Sequence, residues 1–290
     1  MNTEPDMTRD TTGDTHLRVH CTTDADGRIT FLLQRPANTA ALSPQLLLRL
    51  RPKKGQPEKL LQALDLEPMD DGRLRAVLEP QPALAEGRWD VYLLPEPGAA
   101  RQRMRPGLRD QRALVDGHTR DRPSPVAVRV PYTTKDGYLA VRAWLRTAHA
   151  EVEGIDVRDR SMTVRARLHG APLTEAAAVR LRLRGGDGVV RTLEPRAESD
   201  GRAFSFTVDH EELATGHGPG PGAGTRVWDL SVQPGPDAEA PVIRIGRLLD
   251  DVADRKDIFV YPTAVVGDAT VRPYYTVDNE LSVEVTAATA

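Results

Sequence analysis

Tyr132, Tyr274 and Tyr275, with Arg129 and Arg272 nearby, are the residues of this chain whose types and spacing could hold a ligand. A phenol ring stacks on the apolar face of a sugar, and a guanidinium pairs with phosphate or carboxylate oxygens. These residues fall at 129–132 and 272–275, each set beside an Asp-containing turn, so they are the expected binding residues if any surface here takes sugar or phosphate. Repeated aromatic residues also anchor cores. Trp89 and Trp228 are read that way, one plug for each of two cores.

Other candidates for chemistry read as ordinary structure. Asp24-Ala25-Asp26 has the spacing of an acidic pair that holds a divalent metal and a nucleotide diphosphate, but it sits between Thr23 and Gly27-Arg28, a hairpin-turn composition. His16 and His20 beside Cys21 suggest a metal site. On a strand, period two puts His16, Arg18 and His20 on one face and Cys21 on the other, with no second ligand cluster to complete the site. Surface histidines and a small buried thiol are expected, with His118, His149, His169, His210 and His217 scattered. The run 215–225 is rich in glycine, yet no Gly-Lys-Ser/Thr follows to frame a phosphate cradle, so it reads as a disordered surface loop. No Gly-x-Ser-x-Gly elbow occurs. Arg109, Arg112, Arg247 and Arg255 could meet an anionic polymer, though such residues more often form a solvated face. The expectation is a chain with no catalytic residue, no bound metal and no cofactor.

The elements that would position these residues are strands. Apolar residues alternate with Arg, Thr or Ser in Met162–Leu168, Val179–Arg184, Phe204–Val208 and Trp228–Val232, and in the matching runs of the first half. Asp26-Gly27, Asp71-Gly72, Asp136-Gly137, Asp187-Gly188, Asp200-Gly201 and Asp278-Asn279 supply the positive φ that tight hairpins need. Only 57–64 and 173–178 suggest helix, a turn or two each.

The chain also repeats itself. Pro131-Tyr132-Thr133-Thr134 and Asp136, with Leu139 and Val141, recur as Pro273-Tyr274-Tyr275-Thr276 and Asp278, with Leu281 and Val283. Trp89-Asp90 matches Trp228-Asp229, Arg105-Pro106-Gly107 matches Arg244-Ile245-Gly246, Leu66-Glu67-Pro68 matches Leu193-Glu194-Pro195, and Asp71-Gly72-Arg73 matches Asp200-Gly201-Arg202. The fold class is therefore all-β, as two tandem immunoglobulin-like antiparallel β-sandwiches. A disordered tail is expected over 1–15, the first sandwich over 16–148 and the second over 149–290. The linker is short, with a new strand edge expected at Ile155.

Composition bounds the function. A length of 290 residues suits two domains with their own cores, and one cysteine allows no internal disulfide. A net charge of -3 gives a nucleic-acid partner no support. No apolar run could act as a secretion signal or cross a membrane. The start at Met1 followed by a polar tail favours a full-length chain over a fragment.

The runs Ile243-Arg244-Ile245-Gly246, Arg255-Lys256-Asp257-Ile258-Phe259-Val260-Tyr261-Pro262 and 271–283 resemble the end of the C-terminal region of bacterial family 2 glycosyltransferases. These include the wall teichoic acid enzymes and their actinobacterial relatives. In that family tandem immunoglobulin-like modules stand behind a catalytic nucleotide-sugar domain, serve assembly and are candidates for polymer binding. The resemblance covers the chain after residue 15 in architecture, and only the tail in sequence. It departs from the family in lacking a doubly wound α/β region, so no catalytic residue carries over. What the resemblance implies is a non-catalytic accessory or oligomerisation module for a glycosyltransferase acting on a cell-wall glycopolymer. Its partners would be that enzyme or further copies of this chain, with an anionic glycopolymer as ligand. The location would be cytoplasmic, a partner being able to bring it to the inner face of the membrane. The alternative is a free-standing carbohydrate-binding β-sandwich protein.

Overall fold

A computed structural model describes residues 17–35, 43–52, 55–58, 61–186, 188–215, 224–235 and 242–288. The N-terminal tail, His16, His217 and nearly all of the glycine-rich loop lie outside the described residues.

The first half contains β1 (Arg18–Thr23), β2 (Ile29–Gln34), β3 (Gln45–Leu50), β4 (Leu61–Asp65), β5 (Glu67–Pro68) and β6 (Arg73–Leu78). It continues with β7 (Gly87–Leu94), β8 (Gln102–Arg103), β9 (Arg105–Asp110), helix α1 (Arg112–Asp116), β10 (Val126–Thr133) and β11 (Leu139–Arg146). The second half opens with β12 (His149–Val157), β13 (Ser161–His169), β14 (Ala178–Leu183), β15 (Val190–Leu193), β16 (Arg196–Ala197) and β17 (Ala203–Asp209). Helix α2 (His210–Ala214), β18 (Arg226–Gln233), β19 (Ile243–Gly246), β20 (Ala264–Val266), β21 (Ala269–Tyr275) and β22 (Leu281–Ala287) complete it.

The protein is all-β and sandwich-like, and its two halves share one strand order. In the first half the sheets run β5-β6-β2-β1-β9 and β10-β11-β7-β3-β4, with β8 also on β7. In the second they run β16-β17-β13-β12-β19 and β21-β22-β18-β14-β15, with β20 added beyond β21. Strand β19 pairs with both β12 and β18, which makes these two sheets continuous. Among the described residues every pairing is antiparallel except β1 with β9 and β12 with β19, at the same place in each half.

Sequence alternation accounts for the burial. Strands β1, β2, β6 and β13 bury every second residue, so one face of each builds a core. Trp89 and Trp228 sit in the two resulting cores, paired across strands with Leu50 and Val141 in one half and with Leu183 and Val283 in the other. The expected helix over 57–64 is not seen at its described residues, 57–58 and 61–64, while 59–60 lie outside them. Leu61–Asp65 is edge strand β4, held against β3, and residues 173–175 connect to β14 without helix. The single-turn helices are instead α1 and α2, the latter capped by the Asp209 carboxylate accepting from the Glu211 N–H at 2.8 Å. The strand opening the second half begins at His149, not Ile155, two residues after β11 ends.

The two halves pack through one face of β10 and β11. Register equates Val128 with Thr270, Val130 with Arg272 and Trp144 with Thr286, since Val128 pairs with Trp144 as Thr270 pairs with Thr286. In the first half this outer face is apolar, and it forms a third cluster with Leu114, Val126, Leu248, Leu249 and Ala253. In the second half the same face is polar, as in a repeat that ends an array. Turn residues lock the junction. Gly246 is needed there because a Cβ would come within 2.6 Å of the Asn279 carbonyl oxygen. Asn279 itself has φ 58° and is fully buried, its amide donating to Val252 O at 2.8 Å and accepting from the Arg255 N–H at 3.0 Å.

Candidate functional site

The five residues picked out by sequence are not brought together. Tyr275 is buried in the second core, edge-on to Phe259, where desolvation pushes its phenol well above the ordinary value. Arg129 is also buried, donating to Glu79 O at 2.6 Å and to Gly27 O, with burial pushing its guanidinium down to about 10. Arg272 pairs with Glu284 across β21 and β22. Arg255 is no solvated cation either, being fully buried with its guanidinium 4.6 Å from the Phe259 ring centre and paired with Asp250. The expected surface histidines also need correction: His149, His169 and His210 are buried. Cys21 is buried as expected, and desolvation pushes its thiol up to about 12. His20 faces outward and accepts the Leu108 N–H on Nδ1 at 3.0 Å. Asp24 does turn work, accepting from the Asp26 and Arg28 N–H groups at 3.0 and 2.9 Å.

Tyr132 is different, because it lies in a cleft at the junction of the two halves. Two pockets of about 520 and 380 Å³ both have Arg51 and Arg88 in their walls. The first adds Arg142, Glu86 and Asp278; the second adds Tyr132, Lys135, Asp254 and Ile258. Their combined size falls in the range of ligand sites. The walls are placed by β3, β7, β10 and β11 of the first half and by two loops of the second.

Asp90, from the repeated Trp-Asp pair, organises the arginines. Its buried carboxylate accepts from Arg51 Nε and Nη2 at 2.8 and 2.7 Å, from Arg103 Nη2 at 3.3 Å and from Arg49 Nη2 at 3.4 Å. Hydrogen bonding to Asp90 raises the Arg51 pKa above its usual value. Arg88 donates through Nη2 to Val277 O at 3.1 Å, and Arg142 through Nη2 to Asp278 at 2.9 Å, so both reach across the junction. Burial is the main influence on the Tyr132 phenol and pushes it up; the charges of Arg51, Arg88 and Arg142 pull the other way. The net shift is upward, so Tyr132 remains a neutral hydroxyl donor. Its Oη has no hydrogen-bond partner among the described residues, and neither does Arg142 Nε, although Arg142 is only 5% exposed.

The second half provides an internal comparison. Asp229 is met by Arg184, Arg244 and the Ser282 hydroxyl. Register places Val227 where the first half has Arg88, and Glu284 where it has Arg142. The same scaffold therefore carries Val227 and Glu284 in one half where it carries Arg88 and Arg142 in the other. Sequence reasoning missed Arg51, Arg88 and Arg142, although the substitution of Arg142 by Glu284 was visible in the aligned repeats.

No family model matches the chain, and a search of curated proteins finds no match. Among solved structures, the crystal structure of S. aureus TarS 217-571 is similar at a TM-score of 0.28 and 14% identity, over 68% of this chain and 57% of that one. The match thus spans less than two thirds of that chain, and the resemblance is a weak structural one. No helix among the described residues is long and apolar enough to cross a membrane.

Proposed function

We propose that the protein is a non-catalytic module that grips a glycopolymer in the cleft between its halves, as an accessory to a glycosyltransferase acting on that polymer. The observation that carries this reading is the cleft around Tyr132, where the second half has Val227 and Glu284 in place of Arg88 and Arg142. The accessory role rests on the sequence resemblance of the tail. Tyr132 offers a ring and a hydroxyl, and Arg51, Arg88 and Arg142 offer planar donors, the residue types that hold sugars and their charged substituents.

An oligomerisation module is the second reading. The apolar outer face of β10 and β11 is covered by the chain's own second half, so it offers nothing to another copy. Ile258, Val260 and Val265 remain exposed, the last on edge strand β20, and these favour assembly. Light scattering on the purified protein distinguishes a stable oligomer from a monomer.

Affinity electrophoresis through gels containing soluble bacterial wall polymers tests binding. Tyr132→Ala is expected to weaken retardation at least tenfold, while Tyr274→Ala leaves it within a factor of about two, since truncating a central anchor costs about 2 kcal/mol or more. Equal behaviour of the two variants would reject the cleft as the site.

A further inference from the structure

We infer that the cleft recognises an oxyanion, a phosphodiester or a carboxylate, carried on its polymer ligand. This deepens the glycopolymer reading and rests on it for the identity of the polymer. The hydrogen-bonding capacity left unspent at the buried wall is that of donors: Arg142 Nε–H and the Tyr132 hydroxyl lack partners among the described residues. Arg142 has only its Nη2 engaged by Asp278, and Arg51 has its Nε and Nη2 engaged by Asp90. The carboxylates of the walls have cationic partners of their own: Asp278 with Arg142 at 2.9 Å, Asp254 with Arg88 and Asp257 with Lys135 at 3.7 Å, and Asp136 with Arg103 at 3.9 Å. Glu86 accepts from Arg146 and from the Leu145 N–H, and Asp90 accepts from three arginines.

A sugar hydroxyl both donates and accepts, whereas an oxyanion only accepts, so a wall of spare donors matches the oxyanion. Charge adds to the match. Arg51, Arg88 and Arg142 act electrostatically on the Tyr132 hydroxyl, with Asp90 acting against them, so an anionic oxygen near it would meet more guanidinium than carboxylate charge in a partly dehydrated setting. The corresponding place in the second half lacks this character, with Glu284 in the position of Arg142 and Val227 in that of Arg88.

The test is a titration followed through the arginine Nε–H signals of the ¹⁵N-labelled full chain, with Arg142 assigned by its loss in Arg142→Lys. The probes are inorganic phosphate, acetate and neutral maltohexaose, each against chloride at matched ionic strength. Phosphate or acetate is expected to move the Arg142 signal saturably, the stronger of the two indicating a phosphodiester or a carboxylate as the natural group. Tyr132→Phe should fold normally, because its hydroxyl makes no hydrogen bond among the described residues, and should weaken anion binding about tenfold. A signal unmoved by either anion overturns the inference, as does a shift that Tyr132→Phe leaves unchanged. Movement by maltohexaose alone would also overturn it, while leaving the glycopolymer reading intact. Anion binding in a protein that no polymer retards would uphold the oxyanion site and remove the glycopolymer reading instead.

Discussion

Trp144→Ala should lower the stability of the protein by about 3–5 kcal/mol and split its unfolding into two transitions. The side chain is 1% exposed and lies in the cluster that joins the halves, with Val128 opposite it on β10 and the Arg142 guanidinium 4.9 Å from its ring centre. Each half has a separate core around its own tryptophan, so loss of the junction leaves two cores of unequal stability. Differential scanning calorimetry gives the result directly. A single transition, lowered by less than about 1 kcal/mol, would mean that the junction contributes little to holding the halves together.

Asn279 should be nearly as sensitive, for a different reason. It combines left-handed backbone with full burial and two side-chain hydrogen bonds, to Val252 O and from the Arg255 N–H. Asn279→Gly keeps the backbone conformation and removes the bonds, leaving a buried carbonyl and a buried N–H unpaired, at a cost of about 2–4 kcal/mol. Asn279→Ala adds the expense of a Cβ at positive φ, about 1–2 kcal/mol more. Urea denaturation of the two variants separates these contributions. If Gly and Ala were equally destabilising, the positive φ would carry no cost of its own. Because the Asn279 turn also presents Asp278 to Arg142 and Val277 O to Arg88, both variants should weaken ligand binding along with the fold.

Much of the scaffold was legible in the sequence because it follows from period two and from turn chemistry. Strand β13 alternates in the structure as Met162, Val164, Ala166 and Leu168 do in the sequence, and Asp278-Asn279 does supply a positive φ. The same rule separates Tyr274 from Tyr275. With Val271 and Pro273 inward on β21, Tyr275 must also face the core, and reading both tyrosines as ligand residues ignored that alternation. Strand β4 was hidden because Pro57-Glu58-Lys59-Leu60-Leu61-Gln62-Ala63-Leu64 has helical composition, and pairing with β3 overrides that local preference. Arg129 was hidden for the opposite reason. A guanidinium on a strand reads as solvated, and only the tertiary structure shows two backbone carbonyls waiting for it.

The junction was partly visible. Val128, Val130 and Trp144 against Thr270, Arg272 and Thr286 is an apolar face beside its polar counterpart, and such a contrast between repeats marks the surface on which the next unit packs. The cleft was less accessible, because Arg51, Arg88 and Arg142 come from three separate strand regions that become neighbours only when β3, β7 and β11 pair. Tyr132, and Arg142 through its contrast with Glu284 in the aligned repeats, were within reach of sequence reasoning.

The most direct measurement is a hydrogen-exchange footprint of the protein with and without a soluble wall polymer that retards it. Protection should appear together at 50–52, 86–88, 132–136, 142 and 254–258, segments from both halves that meet only in the cleft. Protection confined to 271–275 on β21, or no protection at any of these segments, would contradict a binding site at the junction.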